Sequence, residues 1–218
     1  GDTFTSIEDL QGTNFSDDLR GTAGDNRIWG GGGNDVLHGR GGVDGLFGEA
    51  GDDILLSGGG GGTLDGGAGN DRAAYWTSPI AITASLANPG LNTGHAFGDA
   101  YVSIENLQGS NFGDRLLGDA GDNEIFGNNG DDEIDGCSGG ADVLTGCAGA
   151  EFFVFRGGSA PIADFQDGID RFAIDSAVSG ALTASQIVAL ETGQNGDAVL
   201  DFGSGDRLVF EGMAPGAL

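Results

Sequence analysis

GGGGNDVLH (30–38), GRGGVDGLF (39–47) and GEAGDDILL (48–56) stand end to end in the chain. Each is nine residues long, with Gly first, Asp sixth and Leu eighth. Working outward, the same register opens at Gly12, with frames at 12, 21, 30, 39, 48, 57 and 66. The sixth positions are Asp17, Asn26, Asp35, Asp44, Asp53, Gly62 and Asp71; the eighth are Leu19, Ile28, Leu37, Leu46, Leu55, Leu64 and Ala73. A second block opens at 109, 118, 127, 136 and 146, with Asp114, Asn123, Asp132, Asp142 and Glu151 sixth. Its apolar positions are Leu116, Ile125, Ile134, Leu144 and Phe153. A longer repeat lies above the short one: GDTFTSIEDLQGTNFSDDLRG (1–21) returns as GDAYVSIENLQGSNFGDRLLG (98–118). Ile7, Leu10, Gln11, Phe15 and Leu19 return as Ile104, Leu107, Gln108, Phe112 and Leu116, so the chain reads as a tandem duplication with an insert, 75–97.

Six residues of each frame make a turn and three a short strand. The eighth residue points inward and its neighbours outward, by the period-two rule. Two frames complete a coil, so frames nine apart lie on opposite edges and frames eighteen apart stack, about 4.7–4.9 Å per strand. Glycine supplies the positive φ that so tight a turn needs.

Composition narrows the function. Of 218 residues, 46 are Gly, and 34 Asp+Glu face 8 basic residues, all Arg, for a formal charge of −26. Such a surface repels phosphate backbones and anionic lipid, which excludes nucleic-acid binding and polybasic membrane docking. Four Pro and no strict three-residue period exclude collagen. No run of eighteen apolar residues is present to cross a membrane as a helix. The chain opens Gly1-Asp2-Thr3-Phe4 with no visible signal peptide, at a repeat boundary that suggests similar repeats upstream.

The nonapeptide resembles the repeats-in-toxin (RTX) motif GGxGxDxUx of hemolysin-type calcium-binding proteins exported by type I secretion. Twelve frames hold register and eight carry Asp at position six, over roughly 12–154, with a family-like part to about 210. The resemblance implies an all-β fold: a right-handed parallel β-roll (β-solenoid) in two blocks with a β-rich C-terminal cap. It implies several Ca²⁺ ions, each between stacked turns. Each ion would take carbonyls from positions one and three of one turn, from two and four of the next, and both Asp side chains. The side-chain ligands would be Asp17, Asn26, Asp35, Asp44, Asp53, Asp71, Asp114, Asn123, Asp132 and Asp142. Gly30, Gly31, Gly32, Gly33, Gly48, Ala50, Gly51, Gly66, Gly67, Gly69, Gly127 and Gly130 would contribute backbone.

The two edges of the first block are unequal. One carries Asp17, Asp35, Asp53 and Asp71; the other carries Asn26, Asp44 and Gly62, and is expected to hold weaker sites or none. In the second block Asp114 pairs with Asp132, and the ten-residue frame GCSGGADVLT (136–145) is expected to distort its turn. Phe15 and Phe112 replace Gly at position four, where each is expected to pack its ring at the start of a roll. The insert, with Ile80 and Ile82 alternating, reads as a strand pair or widened coil.

After 154 the nonapeptide ends. Residues 162–174 read as strand, turn, strand; 183–190 as a short Thr-capped helix; 198–212 as a hairpin. An open roll exposes its last apolar row, so a cap is needed. Phe152, Phe153, Phe155, Phe165, Phe172, Phe202 and Phe210 can supply it. The organisation is therefore 1–74 first block, 75–108 insert and start of the second unit, 109–154 second block, and 155–218 capping and secretion-associated segment.

Stacked carboxylates repel, and freezing glycine-rich turns costs about 1–2 kcal/mol of backbone entropy per residue. Calcium reverses the repulsion and couples its binding to folding. The blocks are expected to be largely unfolded without it, with magnesium a poor substitute. Cys137 and Cys147 both stand at position two, on frames expected on opposite edges; a disulfide, free thiols and an intermolecular bridge all remain open. His38 and His95 have no Ser or Cys partner suited to a triad, and no HExxH, GxSxG or phosphate loop is present, so no enzyme is read here. The expected role is a calcium-binding, secreted module, extracellular or on the cell surface, with the type I secretion machinery as partner. The alternatives are a self-associating adhesin, surface-layer or filament subunit, and the non-catalytic tail of a secreted protease, lipase or polysaccharide epimerase.

Overall fold

The computed structural model describes residues 8–180 and 182–218. It is an all-β parallel β-solenoid, divided into two units, 1–110 and 111–218. Ile7, the partner of Ile104 in the long repeat, lies outside the described residues.

In the first unit the coil lays down two parallel sheets. One has the strands Asp9–Gln11, Arg27–Gly32, Asp44–Ala50, Gly62–Ala68 and Asp99–Val102. The other has Asp18–Arg20, Val36–His38, Ile54–Leu56, Arg72–Ala74 and Asn106–Gln108. Register partners are eighteen residues apart, as in Ile28↔Leu46 and Leu37↔Leu55. The inward row is dry: Ile28, Leu37, Leu46, Leu55 and Ala73 have no exposed surface. Burying one Leu-sized side chain contributes about 1.5–3 kcal/mol, so this single row stabilises each coil modestly. The ninth positions face outward, and there Trp29 stacks on Phe47 at 5.4 Å.

The insert departs from its reading as a strand pair. It forms one short strand, Thr83–Ser85, bridged to Thr93, and two 3₁₀ turns, Pro89–Leu91 and Gly94–Ala96. Ile82 is buried but Ile80 is 55% exposed. Pro89 and Gly90 follow Asn88, and that turn chemistry ends the alternation before a second strand can run.

The second unit repeats the design with the strands Arg115–Leu117, Glu133–Asp135, Phe152–Phe155 and Arg171–Ile174 on one face. The other face has Glu124–Asn129, Val143–Ala148, Ser159–Ile162 and Asp206–Phe210, closed by antiparallel Asp197–Gly203 and Glu191–Gln194. The ten-residue frame is absorbed as a register step of nineteen, Glu124↔Val143 and Glu133↔Phe152. Parallel coiling does not stop with the nonapeptide at 154. Residues 162–174 contribute strands to opposite sheets, because Phe153↔Phe172 and Ala160↔Leu208 continue the stack. The helix Ala184–Val188 follows Thr183, whose N–H donates to Gln186 Oε1 at 2.9 Å. Phe153, Phe165, Phe172 and Phe210 close the end of the roll, with ring centroids 4.9–6.2 Å apart.

Three Phe differ from the sequence expectation. Phe152 alternates outward and is 37% exposed, so it adds nothing to the cap. Phe15 (79% exposed) and Phe112 are not packed in either core. Position four sits on the rim of the turn. The Gly33 backbone of the next coil lies against Phe15, and Gly130 against Phe112, leaving the rings the solvent side.

Candidate metal centre

The turns are held by two hydrogen-bond ladders running in opposite directions. In one, each position-six carboxylate accepts the backbone N–H of position six one coil upstream. Asp35 Oδ1 accepts from Asp17 at 2.8 Å, Asp53 from Asp35 at 2.7 Å and Asp71 from Asp53 at 2.8 Å. On the other edge Asp44 Oδ1 accepts from Asn26 at 2.8 Å. In the second unit Asp132 accepts from Asp114 at 2.7 Å and Asp142 from Asn123 at 3.1 Å. In the second ladder, position-five side chains accept position-five N–H groups one coil downstream: Asn34 from Asp52, Asp52 from Asn70, Asp25 from Val43, Asp131 from Ala150. Position-five side chains are thus turn staples that satisfy backbone donors on the rim of the roll.

The first ladder uses one oxygen of each carboxylate. Asp35 Oδ2, Asp44 Oδ2, Asp53 Oδ2, Asp71 Oδ2 and Asp132 Oδ2 are buried and have no hydrogen-bond partner. Each faces a position-one carbonyl of the next coil across a glycine: Gly48 O lies opposite Asp35, Gly66 O opposite Asp53 and Gly146 O opposite Asp132. A Cβ on Gly30, Gly48 or Gly127 would sit inside contact distance of both oxygens, so these positions exclude any side chain. A buried oxygen acceptor with no donor costs about 1–3 kcal/mol, more when charged. Accordingly burial, and then neighbouring acids, push these carboxyls up: Asp44 and Asp71 to about 6, Asp132 and Asp142 to about 7. Asp35 and Asp53 are raised for the same first reason.

Position-two backbone separates open from closed turns. Gly31, Arg40, Glu49, Gly67, Asn128, Cys137 and Cys147 all have left-handed φ, between 70° and 103°. In those frames the position-two N–H does not close onto the carboxylate. In the frames that begin each stack it does: Thr13 N–H donates to Asp17 Oδ2 at 2.7 Å, Thr22 to Asn26 Oδ1 at 2.7 Å and Asp119 to Asn123 Oδ1 at 2.8 Å. Of the residues read as ligands, Asp35, Asp44, Asp53, Asp71 and Asp132 therefore keep a free oxygen, whereas the Asp17 oxygen and both Asn amide oxygens already accept a bond. Asp114 and Asp142 stand in the same ladder, through Asp114 N–H and Asp142 Oδ1.

The backbone candidates divide similarly. Gly48 and Gly66 present carbonyls to the carboxylates, and Gly30 does so to Asp17. Gly31, Gly33, Gly51, Gly67, Gly69 and Gly130 press against the backbone of the preceding coil, where no Cβ fits. Gly32 packs beside Asn14, and Ala50 O accepts the Gly33 N–H at 2.9 Å.

Several position-six groups escape a search for the nine-residue pattern. Glu105 Oε2 accepts the Asp71 N–H at 2.9 Å, after a turn shortened to Ser103, Ile104 and Glu105, and Ser103 O faces Asp71. Asp170 Oδ1 accepts from Glu151 at 3.0 Å, while Gln166 N–H closes onto its other oxygen at 2.7 Å. Burial and Asp170 push Glu151 to about 8. Asp99 is in register with Gly62 and Asp44. The signal that could have found Asp99 and Asp170 is the degenerate frames GHAFGDAYV (94–102) and FQDGIDRFA (165–173), each with Asp sixth.

The donors suit a hard divalent cation. All are oxygens, and calcium takes 6–8 at about 2.3–2.6 Å. Among the described residues no three His, Cys, Asp or Glu are grouped so as to hold a metal by side chains alone, so a cation here would draw on carbonyls as well. Cys137 and Cys147 are free thiols. His38 lies 3.8 Å from Asp18, and burial lowers both His38 and His95.

Comparison with known proteins agrees with this chemistry. Residues 11–46, 44–64 and 108–136 match the family model described as RTX calcium-binding nonapeptide repeat (4 copies). The matched stretches are RTX-type calcium-binding repeats, structural rather than catalytic, and they make up less than half of the chain. No curated protein matches the sequence. Among solved structures it is similar to the extracellular lipase LipA from Serratia marcescens, at 22% identity and a TM-score of 0.33. That match covers 93% of this chain and 38% of the lipase, so the chain spans well under half of that protein's length.

Proposed function

We propose that this chain is a module whose folding is driven by calcium outside the cell, after export by type I secretion. The observation that carries the reading is the row of buried carboxylates, each with one oxygen committed to the backbone and one left without a donor. A turn that needed only a hydrogen-bond staple would be served by an amide, as at Asn26 and Asn123. A carboxylate at the same place costs desolvation and repulsion, which a divalent cation offsets. The ions would lie at Asp35, Asp53 and Asp71 on one edge, at Asp44 on the other, and at Asp132 and Asp142 in the second unit. At low calcium the uncompensated charge keeps the chain unfolded; at extracellular calcium, with module affinities of about 10⁻⁴–10⁻³ M, it folds.

Far-UV circular dichroism during a calcium titration tests this, with chelator reversal and a magnesium control. A cooperative gain of β signal, lost on chelation and not reproduced by magnesium, is expected. A chain that is fully folded and metal-free after chelation at neutral pH would refute it.

A further inference from the structure

We propose that Asp99 completes a calcium site on the weaker edge of the first unit, replacing the acid that Gly62 lacks. The proposal rests on the calcium reading above and adds to it a residue outside the tandem frames. On this edge position six runs Asn26, Asp44, Gly62, Asp99, because the strand Asp99–Val102 pairs with Gly62–Ala68 as that strand pairs with Asp44–Ala50. By pattern alone Asp44 faces a coil with no carboxylate.

Asp44 and Asp99 are 3% and 2% exposed, and Asp44 Oδ2 and Asp99 Oδ1 each have no hydrogen-bond partner. The two carboxylates are close enough for the charge of Asp44 to act on Asp99. Ser57 joins them: its carbonyl faces Asp44 Oδ2 across Gly39, and its hydroxyl neighbours Asp99.

Asp99 is free to serve because it is released from the ladder. Elsewhere in the stack a position-six carboxylate accepts the N–H one coil upstream. Here the Gly62 N–H donates instead to Gly98 O at 3.3 Å. The Asp99 side chain is held from the other side: Tyr75 donates its hydroxyl to Oδ2 at 2.8 Å, and the Tyr75 and Tyr101 hydroxyls are 2.7 Å apart. Asn92 Nδ2 donates to Tyr101 Oη at 3.1 Å. This network fixes Oδ2 and leaves Oδ1 without a hydrogen-bond partner, and Gly62, in register between Asp44 and Asp99, carries no side chain. Two carboxylates, a hydroxyl and a carbonyl form a hard oxygen set of charge −2, which fits Ca²⁺.

The chain has two tyrosines, and both belong to this cluster, so a tyrosine signal reports on this site alone. The experiment uses the full chain with Ca²⁺ as probe. Bound calcium is counted per chain for the native protein, D99N, D44N, the double variant and D53N, and tyrosine ultraviolet resonance Raman bands are followed during titration. Expected are one ion fewer in D99N and in D44N, no further loss in the double variant, and, in the folded calcium-saturated chain, tyrosine bands that depart from the native ones in D44N but not in D53N. An unchanged count in D99N, or native tyrosine bands in folded D44N while D53N still loses an ion, overturns the proposal and leaves Asp99 as a structural partner of Tyr75. Should D99N fail to fold, the tyrosine response of D44N decides. A native chain that binds no calcium at all overturns the module reading itself.

Discussion

Asp71→Asn separates a carboxylate kept for a cation from one kept for its hydrogen bond. Asp71 is fully buried, Oδ1 accepts the Asp53 N–H at 2.8 Å, and Oδ2 faces Ser103 O without a donor. Asn keeps the first bond and turns an N–H₂ toward that carbonyl, so an unfavourable oxygen pair becomes a hydrogen bond. Burial, Asp53 and Glu105 raise the Asp71 carboxyl to about 6. Roughly two pH units at ~1.4 kcal/mol each put the cost of its charge near 3 kcal/mol at neutral pH, and relaxation brings the expected gain to about 1–3 kcal/mol. With calcium the sign reverses. Losing one anionic ligand weakens that site by at least about tenfold, or ~1.4 kcal/mol. Both arms are readable even if the calcium-free chain is unfolded, because osmolytes such as trimethylamine N-oxide drive compaction without metal. The expected result is a lower osmolyte midpoint in chelator and a higher calcium midpoint without osmolyte, both by circular dichroism. A variant that needs more osmolyte in chelator and the same calcium would show that Asp71 is a structural acceptor, and the reasoning from the unpartnered oxygens would fail.

Acidity acts in opposite directions on the two states. The folded carboxyls of Asp44, Asp71, Asp132 and Asp142 sit at about 6–7, above the ordinary ~4 of an unfolded Asp. The calcium-free fold therefore holds protons that the unfolded chain releases. Its stability is fully present below about pH 4 and is lost as pH rises through 6–7. Osmolyte midpoints in chelator should rise from pH 5 to pH 8, while calcium midpoints should fall; a calcium-free fold that strengthens with pH would contradict the assignment. Cys147→Gly should stabilise the calcium-bound chain by about 1 kcal/mol, because Cys147 holds φ 75° where glycine carries no Cβ penalty. Thermal melting checks this, and a lower midpoint would mean the thiol contributes packing that outweighs the strain.

Much of the fold was legible because the repeat is short and its physics local. A nine-residue period with Gly at the turn and Leu at position eight dictates six-residue turns, three-residue strands and a stacking interval of eighteen. The inward row from Ile28 to Ala73 follows from that arithmetic, and so does the pairing of Asp35, Asp53 and Asp71 on one edge. The hairpin at 197–210 and the Thr183-capped helix were legible for the same local reasons: turn residues and a capping side chain act within a few positions.

What only the tertiary structure decided lies where local register is broken or where backbone orientation matters. The insert 75–97 resets the count, so Asp99 and Glu105 enter the stack after turns of different length, and counting in nines from the first block does not reach them; only the degenerate frame 94–102 hints at Asp99. Closed turns carry Thr13, Thr22 or Asp119 at position two and open turns a residue held at left-handed φ; only the folded backbone shows which peptide is flipped, closing Asp17 and Asn26 and leaving Asp35 and Asp44 open. The exposed rings of Phe15 and Phe112 have the same origin, since the neighbouring glycine backbone occupies the space a ring would fill. Sequence determines what recurs at fixed spacing along one chain; the carboxylate and carbonyl oxygens that face one another come from different coils, and only their stacking brings them together.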